Sequence, residues 1–258
     1  IQLEETRLQD VNRIEDYPSV HERHRIFPAI FENRQHKRIL DSSAGVGCVA
    51  QRIWGHYTDD LLCNDITQNC LEILDQLGVP TVSFDLDKEQ PYPFPDNHFD
   101  AVISLSTIEH LIHVDHFIKE ARRILNTGGC LYVSSPNYAS LAFFPRFVLG
   151  DKTFHDPLSQ SVRQRYEFYA HVRYFTYRTL LDFVSSFGFI PEAVYLPLPA
   201  GSTRDQALYA HSRHKALAYR YAMKLMYTLM SPRFATEPVL CFQKASNGVD
   251  RKPRKVII

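Results

Sequence analysis

The 258-residue sequence has no excess of charge of either sign. Its 29 Lys and Arg balance 29 Asp and Glu, so the total does not point to a polyphosphate partner, and nucleic acid is not expected as a substrate. It has no CxxC pair. Cys48, Cys63, Cys70, Cys130 and Cys241 fall mostly inside apolar runs, which argues against a zinc site or a disulfide framework and suits buried thiols in a reducing compartment. No apolar run is long enough to span a bilayer, and no leader with a basic start and an apolar stretch is visible, so a cytoplasmic location is expected. The chain begins at Ile1 rather than Met, as a trimmed or omitted amino terminus would leave it. Internal repeats are also lacking. With 45% hydrophobic residues, the chain can bury a sizeable core as one α/β domain.

What is present is an alternation of short apolar strands with amphipathic helices. A polar lead-in, broken at Tyr17-Pro18-Ser19, contains a short amphipathic helix over Val20 to Phe31. Arg38 to Asp41 reads as a buried strand entering Ser42-Ser43-Ala44-Gly45-Val46-Gly47, with a helix to about Trp54. Leu61 to Asp65 is a second strand and Gln68 to Leu77 a helix stopped by Gly78; Thr81 to Phe84 is a third strand. Phe99 to Leu105 follows as a fourth, then a helix over Val114 to Leu125 and a fifth strand over Cys130 to Ser134. Strands joined by crossover segments imply a doubly wound, mostly parallel sheet, whose ligands sit at the carboxyl ends of its strands. Beyond it, Thr176 caps a helix ending at Gly188, Phe189 to Leu196 is a strand, a long helix runs from about Arg204 to Met230, and a final strand lies near Val239 to Gln243. The tail from Asn247 to Ile258 is expected to be disordered.

The turn after the first strand needs glycine, because a nucleotide-like ligand must approach the backbone there and the helix start offers free N–H groups. Gly45 and Gly47 meet that need, and Asp65 follows twenty residues after Gly45 at the end of the second strand, where a carboxylate can hold ribose hydroxyls. Gly45 to Ala50 also fits a dinucleotide fingerprint, so a nicotinamide oxidoreductase is one reading. Gly45 and Gly47 as a plain tight turn, with Asp65 and Asp85 as cap or turn residues, is another. Against both stand Asp85 at the end of the third strand, with Leu86 beside it, and the run Phe94-Pro95-Asp96-Asn97-His98-Phe99-Asp100-Ala101-Val102-Ile103-Ser104, followed by Glu120-Ala121-Arg122-Arg123-Ile124-Leu125 and Gly128-Gly129.

Together these segments resemble the small-molecule branch of the class I S-adenosylmethionine-dependent methyltransferases, which includes the ubiquinone-pathway O-methyltransferases. The resemblance runs from about Arg38 to Pro136 and resumes in His171-Val172-Arg173-Tyr174-Phe175-Thr176 up to Gly188. It implies S-adenosyl-L-methionine as cofactor and S-adenosyl-L-homocysteine as product. It implies that Asp41, Ser43, Ala44, Gly45 and Gly47 surround the methionine part, that Asp65 and Ile66 take the ribose, Asp85 and Leu86 the adenine, and that Ser104 lies beneath the sulfonium. Ser43 departs from the family, which usually has a glycine there. On this resemblance the chain divides into a lead-in (1–36), a cofactor-binding core (37–136), an acceptor-site insertion (137–175), the rest of the sheet (176–244) and a basic tail (245–258).

A hydroxyl acceptor must lose a proton, and histidine is the usual base near neutral pH. His110, within Ile108-Glu109-His110-Leu111 after the fourth strand, is the preferred candidate, with Glu109 and His171 beside it; His113 reads as a solvated helix-start residue. Glu-His pairs resembling Glu109-His110 hold a divalent ion in some relatives, including small-RNA 2'-O-methyltransferases, with a histidine that His171 resembles. Those relatives carry a further acid where this chain has Ser106, so magnesium is the less expected reading against a structural pair. Ten aromatics lie between Tyr138 and Phe175; some are expected in the core and the rest on an acceptor pocket, with Arg146, Arg163, Arg165 or Arg173 open to an anionic group. Tyr17, His21 and Arg25 are candidates to close over the cofactor. The basic stretch after Ala200 reads mainly as a sheet-covering helix with a solvated face or as a homodimer contact, with peripheral contact to an anionic membrane as the minority reading. The expected acceptor is thus a small-molecule, sugar or lipid-linked hydroxyl or amine, and a methyltransferase-like scaffold without turnover is the remaining rival.

Overall fold

The computed structural model describes residues 2–17, 22–150, 157–200, 202–245 and 252–258. Pro18, Ser19, Val20, His21, Phe154 and the first half of the tail lie outside the described residues, as does the Arg163 side chain.

Eight strands form one sheet: β1 (Arg38–Asp41), β2 (Asp60–Asn64), β3 (Thr81–Val82), β4 (Phe99–Leu105), β5 (Leu125–Ser134), β6 (Phe189–Leu196), β7 (Val239–Lys244) and β8 (Arg254–Ile257), in spatial order β3-β2-β1-β4-β5-β7-β6-β8. The pairs from β3 through β5 are parallel, whereas β7 runs antiparallel to both β5 and β6. The mostly parallel α/β reading therefore holds. The reversal of strand order at β1 and β4 opens a crevice at their carboxyl ends.

Alternation along each strand divides the core between two faces. Leu40, Val102, Leu131, Val194 and Leu240 point one way, where α5 (Val114–Ile124) and α8 (Tyr177–Ser185) bury Phe117, Ile118, Ala121, Leu180 and Val184 against them. Ile39, Ile103, Tyr132, Tyr195 and Cys241 point the other way, under Ile26, Phe27, Ile30 and Phe31 of the lead-in and Ala50 and Ile53 of α3 (Ala50–Ile53). All five cysteines are buried and unpaired with one another. A smaller third cluster joins Leu8 and Val11, at the end of α1 (Gln2–Leu8), to Val46, Cys48, Cys70 and Ile73, the last two on α4 (Gln68–Gln76).

Four expectations are corrected. The lead-in helix is only α2 (Glu22–Arg25), followed by a tight turn at Ala29–Phe31, because Pro28 cannot continue a helix. The helix expected to Trp54 is confined to α3. The long helix after Ala200 is two helices, α9 (Thr203–His211) and α10 (Arg213–Leu229), broken at Ser212, whose backbone is extended and whose side chain caps α10. Asp205 then accepts two parallel bonds from Arg220, at 2.8 and 2.7 Å, tying the two helices together. Finally, the end of the tail is ordered. Arg254–Ile257 pairs parallel with Ala193–Leu196, and Lys255 Nζ donates to the carbonyls of Tyr227, Thr228 and Met230 at the end of α10. The stretch from 137 to 175 contributes α6 (Phe144–Gly150) and α7 (Val162–Ala170).

Candidate functional site

The carboxyl ends of β1, β2, β3 and β4 open into a cleft of about 960 Å³. β1 stops at Asp41, and the chain turns through Ser42 to Gly47 before α3. Gly45 has a positive φ of 55°, with nothing within 4 Å of where a Cβ would stand, so its backbone faces open space. Gly47, at φ 83°, serves another purpose: a Cβ there would meet Leu77 and Leu74 at 2.8 and 3.0 Å. It lets the turn pack on α4 and is not among the residues lining the cleft.

Asp65 holds this turn in shape. One carboxylate oxygen accepts from the Gly45 amide at 3.0 Å and the other from the Thr67 amide at 2.8 Å. Burial raises its pKa, and those two amides oppose the rise. Asp41 is deeper still; burial pushes its carboxyl up to about 7, with the amide of Ser43 opposing and Asp65 adding to the rise. Asp85 lines the next wall, one oxygen accepting from the Asp87 amide at 2.9 Å, and Leu86 lies buried beside it. Ile66, Ala44 and Tyr17 also line the cleft. Ser43 does not crowd this wall, because its hydroxyl hydrogen-bonds to that of Thr107 across the cleft floor. Ser104, expected beneath the cofactor, is fully buried and does not line the cleft; Leu105, Ser106 and Thr107 do. Strand alternation sends Ser104 into the sheet, and the chain leaves the sheet only one residue later.

Glu109, His110 and His171 gather in the same cleft, with a ligand atom from each lying within 4.8 Å of the others. That spacing, with one carboxylate and two imidazoles, suits a divalent ion as a donor set. Glu109 is fully buried and neither of its oxygens has a hydrogen-bond partner; burial pushes its carboxyl up to about 7, against the charges of His171 and Arg23. His110 Nδ1 donates to the Ala170 carbonyl at 3.0 Å, which leaves Nε2 with its lone pair. Burial, aided by His171, holds His110 down to about 4, so the ring is neutral near pH 7. His171 is engaged at both nitrogens, by the Tyr138 hydroxyl at 2.6 Å and by Glu167 at 2.9 Å.

The rest of the wall was only partly visible in the sequence. Arg146 lines the cleft, but Arg165 donates to the Ser159 and Gln160 carbonyls and Arg173 to those of Leu111 and Ile112. Neither lines this cleft. Arg23, rather than Arg25, reaches the cleft, where it pairs with Glu237. His113 starts α5 half-exposed, as expected. The sequence reading missed Asn64, which donates to the Ser42 and Phe84 carbonyls and accepts from the Phe84 amide. It also missed Asp87, which accepts from the Ile112 and His113 amides, and Arg7, which joins Glu4 and Tyr17 and lies over the rings of Tyr17 and Tyr166. Asn64 carried a usable signal, a polar residue at the buried end of an apolar strand; Arg7 carried none.

Residues 40–133 match the family profile described as a methyltransferase domain. The ubiquinone/menaquinone biosynthesis C-methyltransferase of Pseudomonas entomophila is 29% identical over 153 residues, which is 50% of this chain and 59% of that relative; the match thus spans less than two thirds of the relative's length. The Pseudomonas putida counterpart matches over the same extent at 29% identity. Among solved structures, the S-adenosylmethionine-dependent methyltransferase of Mesorhizobium loti superposes with a TM-score of 0.56 at 15% identity, covering 84% of this chain and 97% of that one. Phosphoethanolamine N-methyltransferase 2 of Haemonchus contortus, solved with S-adenosyl-L-methionine, gives 0.55 at 17% identity, covering 87% of this chain and 52% of that one. At such identities the superpositions speak for the fold. Residues 40–133, from β1 to β5, thus match the methyltransferase-domain family, and the chain has the fold of the class I S-adenosylmethionine-dependent methyltransferases.

Proposed function

We propose that this protein transfers a methyl group from S-adenosyl-L-methionine to a hydroxyl or amine of a small-molecule acceptor. One observation carries the reading: a single cleft joins a glycine turn braced by Asp65, the acids Asp41 and Asp85, and a neutral imidazole. The residues fit the cofactor. Gly45 leaves open space above its backbone where a side chain would intrude, and the cleft side of the turn ends in carboxylates suited to ribose and adenine donors and to a cationic sulfonium. When bound, the cofactor supplies an already activated methyl group on sulfur.

The protein's own tasks are then alignment, exclusion of water and movement of one proton. Asp65 and Ile66 hold the ribose side, Asp85 and Leu86 the adenine side, and Asp41 with Ser43 to Gly45 the methionine side. His110 Nε2 takes the proton that an acceptor hydroxyl or amine gives up as the new bond to carbon forms, its orientation set by the Ala170 carbonyl. Both nitrogens of His171 are engaged, so it orients Glu167 rather than acting as a base. A divalent ion on Glu109, His110 and His171 is the second reading, favoured by the buried Glu109 carboxylate; it would draw an acceptor oxygen to the same wall. Phe143, Tyr169, Val172 and Ile112 line the acceptor side, which suits an acceptor with an apolar, lipid-like part better than a sugar.

The test is calorimetric titration with S-adenosylhomocysteine, S-adenosylmethionine and NADPH, each with and without magnesium. Saturable binding of the first two alone is expected, and Asp65→Ala should weaken it roughly ten- to a hundredfold. NADPH binding would move the assignment to an oxidoreductase. Cofactor binding with no turnover across an acceptor screen would leave a scaffold.

A further inference from the structure

The outer face of α10 carries side chains that a solvated helix does not need. Leu217, Tyr221, Leu225 and Leu229 recur at every fourth residue and are between 45% and 75% exposed, so they form one continuous apolar stripe on the surface. At 3.6 residues per turn, Arg213 and Lys224 fall on one flank of that stripe and Lys215 on the other. All three are exposed, and none has an ion partner among the described residues. The helix contains no acid. The one acid of α9, Asp205, is buried and neutralised by Arg220. An apolar stripe bordered on both sides by long cationic side chains matches the cross-section of an anionic lipid surface, with the stripe in the acyl boundary and the cations among the headgroups.

α6 carries a second exposed apolar segment. α6 presents Phe144, Phe147, Val148 and Leu149 at 53–85% exposure, and the stretch from Leu141 to Gly150 also holds no acid. The Leu141 amide donates to the Phe234 carbonyl at 3.3 Å, in the turn Pro232–Phe234 that follows α10, so the start of α6 lies beside the exit from α10. Phe143, just before α6, and Arg146 within it line the cleft. No helix among the described residues is long and apolar enough to cross a membrane.

We propose that α10 and α6 form a docking surface for an anionic lipid bilayer, which sets the mouth of the cleft beside the lipid phase. The docking itself does not depend on the methyltransferase reading; only its use, delivery of an amphipathic acceptor, rests on it.

The experiment is co-sedimentation of the full chain with large unilamellar vesicles of phosphatidylcholine mixed with phosphatidylglycerol, against phosphatidylcholine alone, at low and high salt. The wild-type protein is expected to sediment with the anionic vesicles, to be released by salt, and to ignore the neutral ones. Leu225→Glu with Leu229→Glu, and separately Arg213→Glu with Lys224→Glu, should each reduce the bound fraction roughly tenfold or more. All four side chains are exposed, so circular dichroism and binding of S-adenosylhomocysteine should be retained, showing that the variants are folded. Binding to neither vesicle, or binding unchanged in both variants, would overturn the proposal. So would sedimentation velocity showing a wild-type dimer that the Leu225→Glu, Leu229→Glu variant dissolves, because the stripe would then face a second copy of this chain. If S-adenosylhomocysteine fails to bind the wild-type protein while vesicles do, it is the catalytic assignment that falls.

Discussion

Asp65 does two jobs with one carboxylate. It braces the Gly45 turn from inside and presents its remaining lone pairs to the cleft. His110 is similarly specialised: its Nδ1 is anchored, its ring is kept neutral by burial, and its second nitrogen is left available. His110→Ala should therefore lower kcat by roughly a hundred- to ten-thousandfold, the usual worth of a general base, while calorimetric affinity for S-adenosylhomocysteine is retained; full turnover would remove His110 as base. Asp41 offers a pH test. Its pKa is raised by burial from 3.8 to about 7, so the folded state holds this proton more tightly than the unfolded chain. Its contribution to stability is complete below about pH 4 and is lost as pH rises through about 7. Asp41→Asn, which cannot ionise, should gain in Tm relative to wild type as pH is raised across that window, and a constant difference between the two would contradict the assigned shift. The acids were legible in the sequence because each stands at or just beyond the end of a short apolar strand. That Ser104 is buried while Leu105 to Thr107 line the cleft was not legible, because which face a residue takes depends on strand alternation and on where the strand ends.

Among the elements, the glycine turn shows how one motif divides its labour. Gly45 leaves space for a ligand, whereas Gly47 leaves space for Leu74 and Leu77 of the protein itself. Gly47→Ala would combine a disfavoured backbone conformation with a contact at 2.8 Å, and should cost about 2 kcal/mol in denaturant unfolding; a change near zero would mean that α4 moves aside freely. The helices most readable in the sequence were α4, α5 and α8, whose apolar positions recur at helical spacing against the sheet. The break at Ser212 was not readable, because both sides of it have good helical composition and Ser212 becomes a cap only once Asp205 and Arg220 draw α9 and α10 together. β8 was hidden for the same kind of reason. A short basic segment pairs only because β6 offers a free edge and the end of α10 offers three carbonyls to Lys255.

At the scale of the molecule, the cleft is closed by segments distant in sequence. α1 and α7 pack together beside it, Arg7 lying over the rings of Tyr17 and Tyr166, and the Arg23–Glu237 pair joins the lead-in to the loop before β7. Removal of residues 1–17 should expose Val46 and Cys48, which pack on Leu8 and Val11, and weaken S-adenosylhomocysteine binding at least roughly tenfold while far-ultraviolet circular dichroism still reports the sheet. Undiminished affinity would show that the lead-in is not part of the site. What the sequence by itself determined is most of the order of strands and helices, the glycine turn and the acids at or just beyond the ends of β1 to β3, since periodicity and turn chemistry act over a few neighbouring residues. Tertiary structure alone decided that Arg146 lines the cleft while Arg165 and Arg173 do not, and that β8 joins the sheet; it also brought together His110, His171 and Glu109, which the family resemblance had already grouped. Those outcomes depend on which distant groups reach one another once the two faces of the sheet are covered.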